Sequence, residues 1–190
     1  MNKPGIILLA DKAGCLNDFS AEFMPLPEFN AALKPILDSS LDCFVVLSGS
    51  DVLWEQHLND LGIPWSVCPD SHLGIDACAA FGVHCTQSWQ GWIIDVASTP
   101  ATPVALYRAL SKGIRRYPIA SAHDKNGKRS FPIAFDHRHG CPLMNHKNSL
   151  LQDSLNSYPS DAQMNWLNLS FNAIATHPPQ IPEQLVSLRA

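Results

Sequence analysis

Short apolar runs of strand length recur along this chain and alternate with stretches of helical periodicity. The runs cover residues 5–10, 42–47, 64–68, 92–97, 117–122 and 131–135. One helical pattern covers residues 51–61, with Ser50 as a candidate N-cap and Gly62 just past its end; a second covers residues 102–113, with Thr102 as a candidate cap. Strands that alternate with helices of about ten residues predict an α/β fold with a mostly parallel sheet covered by helices on both faces.

The predicted topology also indicates where a ligand would bind. Ligands of open parallel sheets sit at the carboxyl ends of the strands, so a site is expected in the segments that follow Ala10, Leu47, Cys68 and Ala97. Beyond about residue 137 the strand pattern fades, and we expect loops and short helices there. No repeat or sharp change of composition marks a boundary, which predicts a single domain over residues 1–190.

Charge and apolar content argue against several classes of protein. Acidic residues number 17 against 13 Lys and Arg, a net charge of −4, which does not suit a broad basic face for nucleic acid. Small anionic ligands remain possible, because backbone amides can hold them. No apolar run approaches the roughly 18 residues that a membrane span requires, and residues 6–10 are too short for a secretory signal. The sequence therefore predicts a cytoplasmic protein without nucleic-acid or membrane partners.

The six cysteines form no CxxC pair and lie mostly among apolar neighbours. An even count permits disulfides, but a cytosolic chain of this length has little need of them. We therefore expect reduced thiols.

The turn after the first strand, residues 9–15, lies where nucleotide-binding α/β proteins place a glycine-rich loop. It contains only Gly14, so it is a poor phosphate cradle by itself. Lys12 could contribute a positive charge, or it could be a solvated turn lysine beside Asp11.

The segment 69–83 follows a strand and opens a helix rich in small residues. Gly74, near the start of this helix, could allow a ligand to approach the helix amides, or it could simply be a turn glycine.

Three segments occur in an order that is similar to a known family: residues 68–83 (CPDSHLGIDACAAFGV), 91–100 (GWIIDVASTP) and 129–135 (RSFPIAF). They resemble the MobA-like nucleotidyltransferases, which include the molybdenum cofactor guanylyl- and cytidylyltransferases. That family has a proline-aspartate stretch before the helix after the third strand, a GW-L-x-x-L-A-D-M-P segment at the end of the metal-binding strand, and a later G-x-P-V-x-F element. Residues 180–185 (QIPEQL) also resemble the family's D-I-D-T-P-E-D-L tail.

The resemblance implies a three-layer α/β/α fold of the nucleotide-diphospho-sugar transferase kind. It further implies Mg²⁺, a nucleoside triphosphate (CTP or GTP), and transfer of a nucleotidyl group to a phosphorylated acceptor of the molybdopterin type. The implied partners are a nucleotide or other small-molecule ligand and a molybdoenzyme-related protein. By the same resemblance, the residues expected near the nucleotide are Leu9, Ala10, Lys12, Gly14, Asp70, Gly74 and Asp76.

The sequence departs from the family at two elements of the site. The family loop L-A-A-G-x-S-x-R-x-G corresponds to residues 9–18, which lack its first glycine, its serine and its arginine. The metal-binding aspartate aligns with Ser98, and a hydroxyl does not offset the charge of a metal ion as a carboxylate does. Asp95 lies three residues earlier, so its side chain should point to the opposite face of the strand unless the strand end bends or the alignment shifts.

Two functions therefore remain open. In the first, the chain is a divergent nucleotidyltransferase in which Asp95 and Ser98 are the candidate catalytic residues and Asp95 is the candidate metal ligand. In the second, it is a non-catalytic accessory or binding protein on the same scaffold, with a degraded nucleotide and metal site and no cofactor.

A cluster of His137, His139, Cys141 and His146 lies outside the family motifs. Two histidines at i and i+2 of an extended segment share a face, and the four side chains could form a tetrahedral zinc site. The spacing matches no common zinc motif, and a solvated polar loop is the alternative. No GxSxG, HExxH or P-loop pattern is present.

Overall fold

The computed structural model describes residues 3–10, 24–97, 101–123, 129–145, 151 and 166–170. The strands within these residues are β1 (Gly5–Ala10), β2 (Asp42–Leu47), β3 (Trp65–Val67), β4 (Gly91–Val96), β5 (Ile119–His123), β6 (Arg129–Asp136) and β7 (Trp166–Ser170). The α-helices are α1 (Leu26–Asp38), α2 (Val52–Asp60), α3 (Ile75–Cys85), α4 (Val104–Gly113) and α5 (Gly140–Met144). Two short 3₁₀ turns, Ser71–Leu73 and His137–His139, precede α3 and α5.

The seven strands form one sheet in the order β3-β2-β1-β4-β6-β5-β7. Only β6 runs antiparallel to its neighbours β4 and β5, and the other pairs are parallel. Every residue of β1 is buried, as expected for an interior strand of a sheet that is covered on both faces. The α/β class with a mostly parallel sheet is therefore confirmed.

Alternate strand residues pack into two separate cores. On one face Ile6 and Leu8 join the apolar residues of α1, α2 and α4. On the other face Ile7 and Leu9 join those of α3, together with Leu143 of α5. The period-two alternation of a strand separates these two sets, which gives the helix-sheet-helix layering of the fold.

The helix starts differ in detail from the sequence predictions. Asp51, and not Ser50, is the N-cap of α2: its carboxylate accepts from the Leu53 and Trp54 amides at 3.0 and 3.2 Å. The Asp51 amide donates back to Glu55 at 3.2 Å, in the manner of a capping box. Pro103, and not Thr102, is the N-cap residue of α4. The Thr102 side chain is buried and hydrogen-bonds to Asp95 instead.

The last described strand was not predicted. β7 pairs in parallel with β5, with Ile119 opposite Trp166, in a region where the sequence suggested only loops and short helices. The partner of such a strand is distant in the chain, so the local pattern of residues 166–170 carries little information about it. Within the described part of the chain, no helix has the length and apolar character that crossing a membrane requires.

Candidate functional site

The parallel strands bring their carboxyl ends to one edge of the sheet, where the described residues form a small pocket. Its lining comes from the ends of β1, β2 and β4 and the start of α3: Leu9, Ala10, Val46, Ser48, Ile75, Cys78 and Val96. This is the carboxyl-edge position predicted from the topology. The enclosed space is about 20 Å³, roughly what one water molecule requires, so the described residues by themselves do not enclose a larger ligand.

The floor of this pocket is largely apolar. Leu9, Val46, Ile75 and Val96 contribute aliphatic side chains, and Ser48 is its hydroxyl-bearing residue. No ionisable carboxylate or amine is among the lining residues of the described chain. Such a surface favours an uncharged part of a ligand over a phosphate.

The amino end of α3 lies beside this pocket. Gly74 precedes the helix with a φ of +98°, a conformation that glycine adopts without the steric cost of a side chain. The Ser71 hydroxyl donates to the Ser48 carbonyl at 2.6 Å and ties the segment before α3 to the end of β2. The first amides of α3 have no acceptor within the helix, so this end of α3 is electropositive.

The predicted site residues do not all line this pocket. Leu9 and Ala10 line the pocket, and Gly74 precedes its lining residue Ile75. Asp76 is half-buried in the first turn of α3, where its negative charge opposes the approach of a phosphate. Lys12, Gly14 and Ser98 lie outside the described residues.

Asp70 lies at a different cavity. This cavity encloses about 180 Å³ along the outer side of α3, and its lining includes Asp70, Phe81, His84 and Met144 but no residue of β1 or β4. The expected grouping of Asp70 with Leu9 and Ala10 is therefore not seen among the lining residues.

Asp95 points into the core on the α4 side of the sheet. Its side chain is only 2% exposed; Oδ2 accepts from the Tyr107 hydroxyl at 2.6 Å and Oδ1 from the Val96 amide at 2.8 Å. Burial raises the pKa of Asp95 to about 6, and the bonds from Tyr107, Thr102 and Val96 oppose that rise. Burial and the neighbouring Asp95 charge in turn raise the pKa of Tyr107.

These contacts test whether the chain's described residues suit a divalent cation. Among them, no group of three or more His, Cys, Asp or Glu side chains is arranged to hold a metal ion. Both oxygens of Asp95 already accept hydrogen bonds within the core. The described residues therefore provide no three-residue ligand set for a divalent cation, and the roles of Asp95 and Ser98 in metal binding and catalysis stay predictions.

Sequence reasoning missed the partners of Asp95. The sequence places Tyr107 inside the predicted helix at 102–113 and suggests Thr102 only as a cap. A tyrosine on an otherwise aliphatic helix face is the one signal that could have suggested a buried polar partner, because a buried hydroxyl requires one.

The histidine cluster is not an extended segment as expected. His137–His139 form a 3₁₀ turn, and Asp136 accepts from the Arg138 amide at 3.1 Å and from His139 Nδ1 at 2.9 Å. Asp136 also forms an ion pair with the Arg138 guanidinium. Because Asp136 caps a turn at His137–His139, these two histidines do not lie on one face of an extended segment as expected. His146 lies outside the described residues.

This cluster also lies far from the pocket. Asp136 is paired with Gly91, the first residue of β4, so the turn is at the amino edge of the parallel strands. The pocket residue Val96 ends the same strand at the opposite edge.

Comparison with known proteins finds similarity in structure only. No family model and no curated protein matches the sequence. The Rv0371c protein of Mycobacterium tuberculosis H37Rv, in a complex with manganese, aligns over 90% of this chain and 88% of its own with a TM-score of 0.65 and 14% identity. CMP:2-keto-3-deoxy-manno-octonic acid synthetase complexed with CTP aligns over 88% and 89% with a TM-score of 0.61 and 12% identity.

A third solved structure, 4-diphosphocytidyl-2C-methyl-D-erythritol synthase, aligns over 95% of this chain and 94% of its own with a TM-score of 0.60 and 11% identity. At these identities the likeness establishes the fold and nothing finer. The chain has the nucleotide-diphospho-sugar transferase-like α/β fold. The comparisons do not single out the MobA-like proteins among the proteins with this fold.

Proposed function

We propose that this protein binds a nucleotide at the carboxyl edge of its sheet and belongs functionally with the nucleotidyltransferases. The observation that carries the proposal is the pocket between β1, β2, β4 and the amino end of α3. It is supported by the likeness, over 88% and 95% of this chain, to a synthetase complexed with CTP and to 4-diphosphocytidyl-2C-methyl-D-erythritol synthase.

The described residues suggest how a nucleotide would be oriented. An uncharged part of the ligand, such as its base or ribose, would lie on the apolar floor around Leu9 and Ala10 and approach the α3 amides at Gly74. The triphosphate would lie away from Asp76 and towards Lys12 and Gly14, because like charges repel and Lys12 is the cation that follows β1.

The finer proposal is a MobA-like reaction. An oxygen of a phosphorylated, molybdopterin-type acceptor attacks the α-phosphorus of CTP or GTP, and the bond to the β-phosphate oxygen breaks to release pyrophosphate. A molybdoenzyme-related protein would receive the product, in the cytoplasm. Mg²⁺ belongs to this reaction, with Asp95 or a residue outside the described set as its ligand.

A second function has its own support. The uncharged pocket floor and the hydrogen-bonded, buried Asp95 suit a binding protein that keeps the scaffold and holds an uncharged ligand or a partner without turnover. Ser98 at the position of the metal aspartate favours the same function.

Calorimetric titration with CTP, GTP and ATP, each with and without magnesium at matched ionic strength, tests both functions. If Ser98 stands at the metal position, we expect weak nucleotide binding with little gain from magnesium. Ser98→Asp should then gain about tenfold in magnesium-dependent affinity, equivalent to about 1.4 kcal/mol.

Ser88→Asp is the matched control, because it adds the same charge at an exposed position after the far end of α3. Equal gains in both variants would contradict the alignment of Ser98. Tight magnesium-dependent binding by the wild type would assign the metal to another carboxylate. Binding of no nucleotide under any condition would overturn the proposed function in favour of the non-catalytic one.

A further inference from the structure

Basic side chains are concentrated at the amino edge of the sheet, opposite the pocket. The chain has only 13 Lys and Arg residues. Five of them are exposed at this edge and together form what we call the basic edge: Lys3, Lys112, Arg115, Arg116 and Arg138. None of these residues lines either cavity described above.

Backbone hydrogen bonds place the segments that carry these side chains at the same edge of the sheet. α4 runs back from the carboxyl edge and ends at Gly113, and Arg116 donates its amide to the Gly113 carbonyl at 2.9 Å. The Asp136 amide then donates to the Pro118 carbonyl at 3.0 Å, which places the Arg138 turn beside the end of the α4 segment.

The start of the chain completes this edge. The Lys3 carbonyl accepts from the Gln90 amide at 3.4 Å, directly before β4, and Gly91 pairs with Asp136. Lys3 therefore lies at the same end of the sheet as the Arg138 turn.

Among the described residues, two acids lie close to the basic edge. Asp136 is 5% exposed and is bonded to Arg138 and His139, so it offsets the charge of Arg138. Asp38 is exposed at the end of α1, and Arg108 of α4 donates to its carbonyl at 2.7 Å, which places Asp38 beside α4. Two further exposed acids, Asp42 at the start of β2 and Asp60 at the end of α2, lie farther along the sheet in the same direction. The charge of this edge thus changes sign between α4 and α1.

This change of sign decides which class of anion fits. A long polyanion such as a nucleic-acid duplex, or a flat anionic membrane, would extend past α4 and meet Asp38, Asp42 and Asp60. A short acidic segment of a protein fits within the basic half, and the guanidinium groups of Arg115 and Arg116 suit paired contacts with carboxylates.

We propose that the basic edge is a docking surface for an Asp- or Glu-rich segment of a partner protein. The surface is independent of the proposed nucleotide function, because it lies at the opposite edge of the sheet. Contacts between exposed charges weaken strongly with salt, so the interaction is salt-sensitive.

The test is fluorescence anisotropy with a labelled synthetic peptide of alternating Glu and Gly, at low and at physiological ionic strength. We expect binding at low salt that weakens as salt is added, and about tenfold weaker binding for Arg115→Gln/Arg116→Gln. Arg116→Gln and Lys34→Gln form a matched pair, since each removes one exposed positive charge and Lys34 lies on α1, outside the basic edge.

A labelled DNA duplex of the same net charge separates the two classes of polyanion. Tighter binding of the duplex than of the peptide would overturn the proposal in favour of a nucleic-acid surface. Absence of peptide binding at low ionic strength, or equal losses in Arg116→Gln and Lys34→Gln, would also overturn it. A selective loss in Arg116→Gln with unchanged thermal unfolding supports it.

Discussion

Asp95 places a carboxylate inside the core beside Tyr107 and Thr102. Burial makes ionisation costly, and the donors around the carboxylate recover part of that cost. Because the group has only a few partners, each donor should have a measurable effect on the free energy of unfolding. Substitutions at Asp95 and at its donors therefore test the buried hydrogen bonds of the core directly.

Tyr107→Phe should lower the free energy of unfolding by about 1–3 kcal/mol, because it removes the hydroxyl that donates to Asp95 Oδ2 at 2.6 Å. Tyr117→Phe is the matched control at a half-buried tyrosine, for which we expect a change within about 0.5 kcal/mol. Urea unfolding of both variants at neutral pH measures the difference. Equal changes in the two would contradict the buried hydrogen bond.

The stability of the wild type relative to Asp95→Asn should fall as pH rises from about 4 to about 6. The pKa of Asp95 lies at about 6 in the folded protein, above the ordinary value of 3.8, so the folded state binds more protons in this interval. Stability contributed by protonated Asp95 is therefore present at low pH and lost as pH rises. Denaturant unfolding of both proteins across this range checks the sign.

The contribution of Asp136 to stability changes with pH in the opposite direction to that of Asp95. Burial opposes its ionisation, but the bonds from Arg138 and His139 outweigh burial and lower its pKa. Its contribution is present above the ordinary pKa and lost on acidification through the lowered one. Both proteins contain Asp136, so its effect cancels in the difference, and a pH-independent difference would contradict the assignment to Asp95.

At the scale of elements, α3 approaches the sheet closely because its buried face is built from small residues. A Cβ added at Gly82 would lie 2.7 Å from Ile7 Cγ2 and 3.0 Å from Val46 Cγ2. Glycine thus allows this helix to lie against β1 and β2, and its first turn reaches the carboxyl-edge pocket.

Gly82→Ala should lower the free energy of unfolding by about 1–3 kcal/mol, because the added methyl group crowds the sheet. The higher helix propensity of alanine offsets up to about 1 kcal/mol of this loss. Thermal and urea unfolding measure the net effect. Gln56→Ala, on the exposed side of α2, controls for propensity alone and should stay within about 0.5 kcal/mol. A more stable Gly82→Ala protein would show that α3 can move from the sheet without cost.

At the scale of the whole molecule, the number of reactive thiols shows whether disulfides cross-link the chain. Cys43, Cys68, Cys78, Cys85 and Cys141 form no disulfide among the described residues, and burial raises the pKa of Cys43 to about 12. All six cysteines should react with a thiol reagent in denaturant without prior reduction, whereas Cys43 should react slowly in the native protein because little thiolate forms. Fewer than six thiols in fresh, unreduced protein would indicate a disulfide.

Much of the architecture could be predicted from local sequence. The apolar runs at 5–10 and 42–47 coincide with β1 and β2, because buried parallel strands require continuous apolar residues whatever surrounds them. The turn glycine Gly62 lies at a φ of +66° just past α2, as its position predicted. Topology predicts a site at the carboxyl edge, where Leu9 and Ala10 line a small pocket, and their role in nucleotide binding stays a prediction.

Properties set by distant contacts required the tertiary structure. The reversal of β6 and the pairing of β7 depend on partners far along the chain, which local periodicity does not encode. From the sequence alone Thr102 is a candidate cap, but the structure places it beside Asp95. The sequence also predicts that His137 and His139 share a face, but Asp136 caps a turn that contains them. Local pattern thus determined six of the seven described strands, three of the five described α-helices and the fold class, but not β7 or α1. The identity of each polar partner was decided by which elements the sheet brings together.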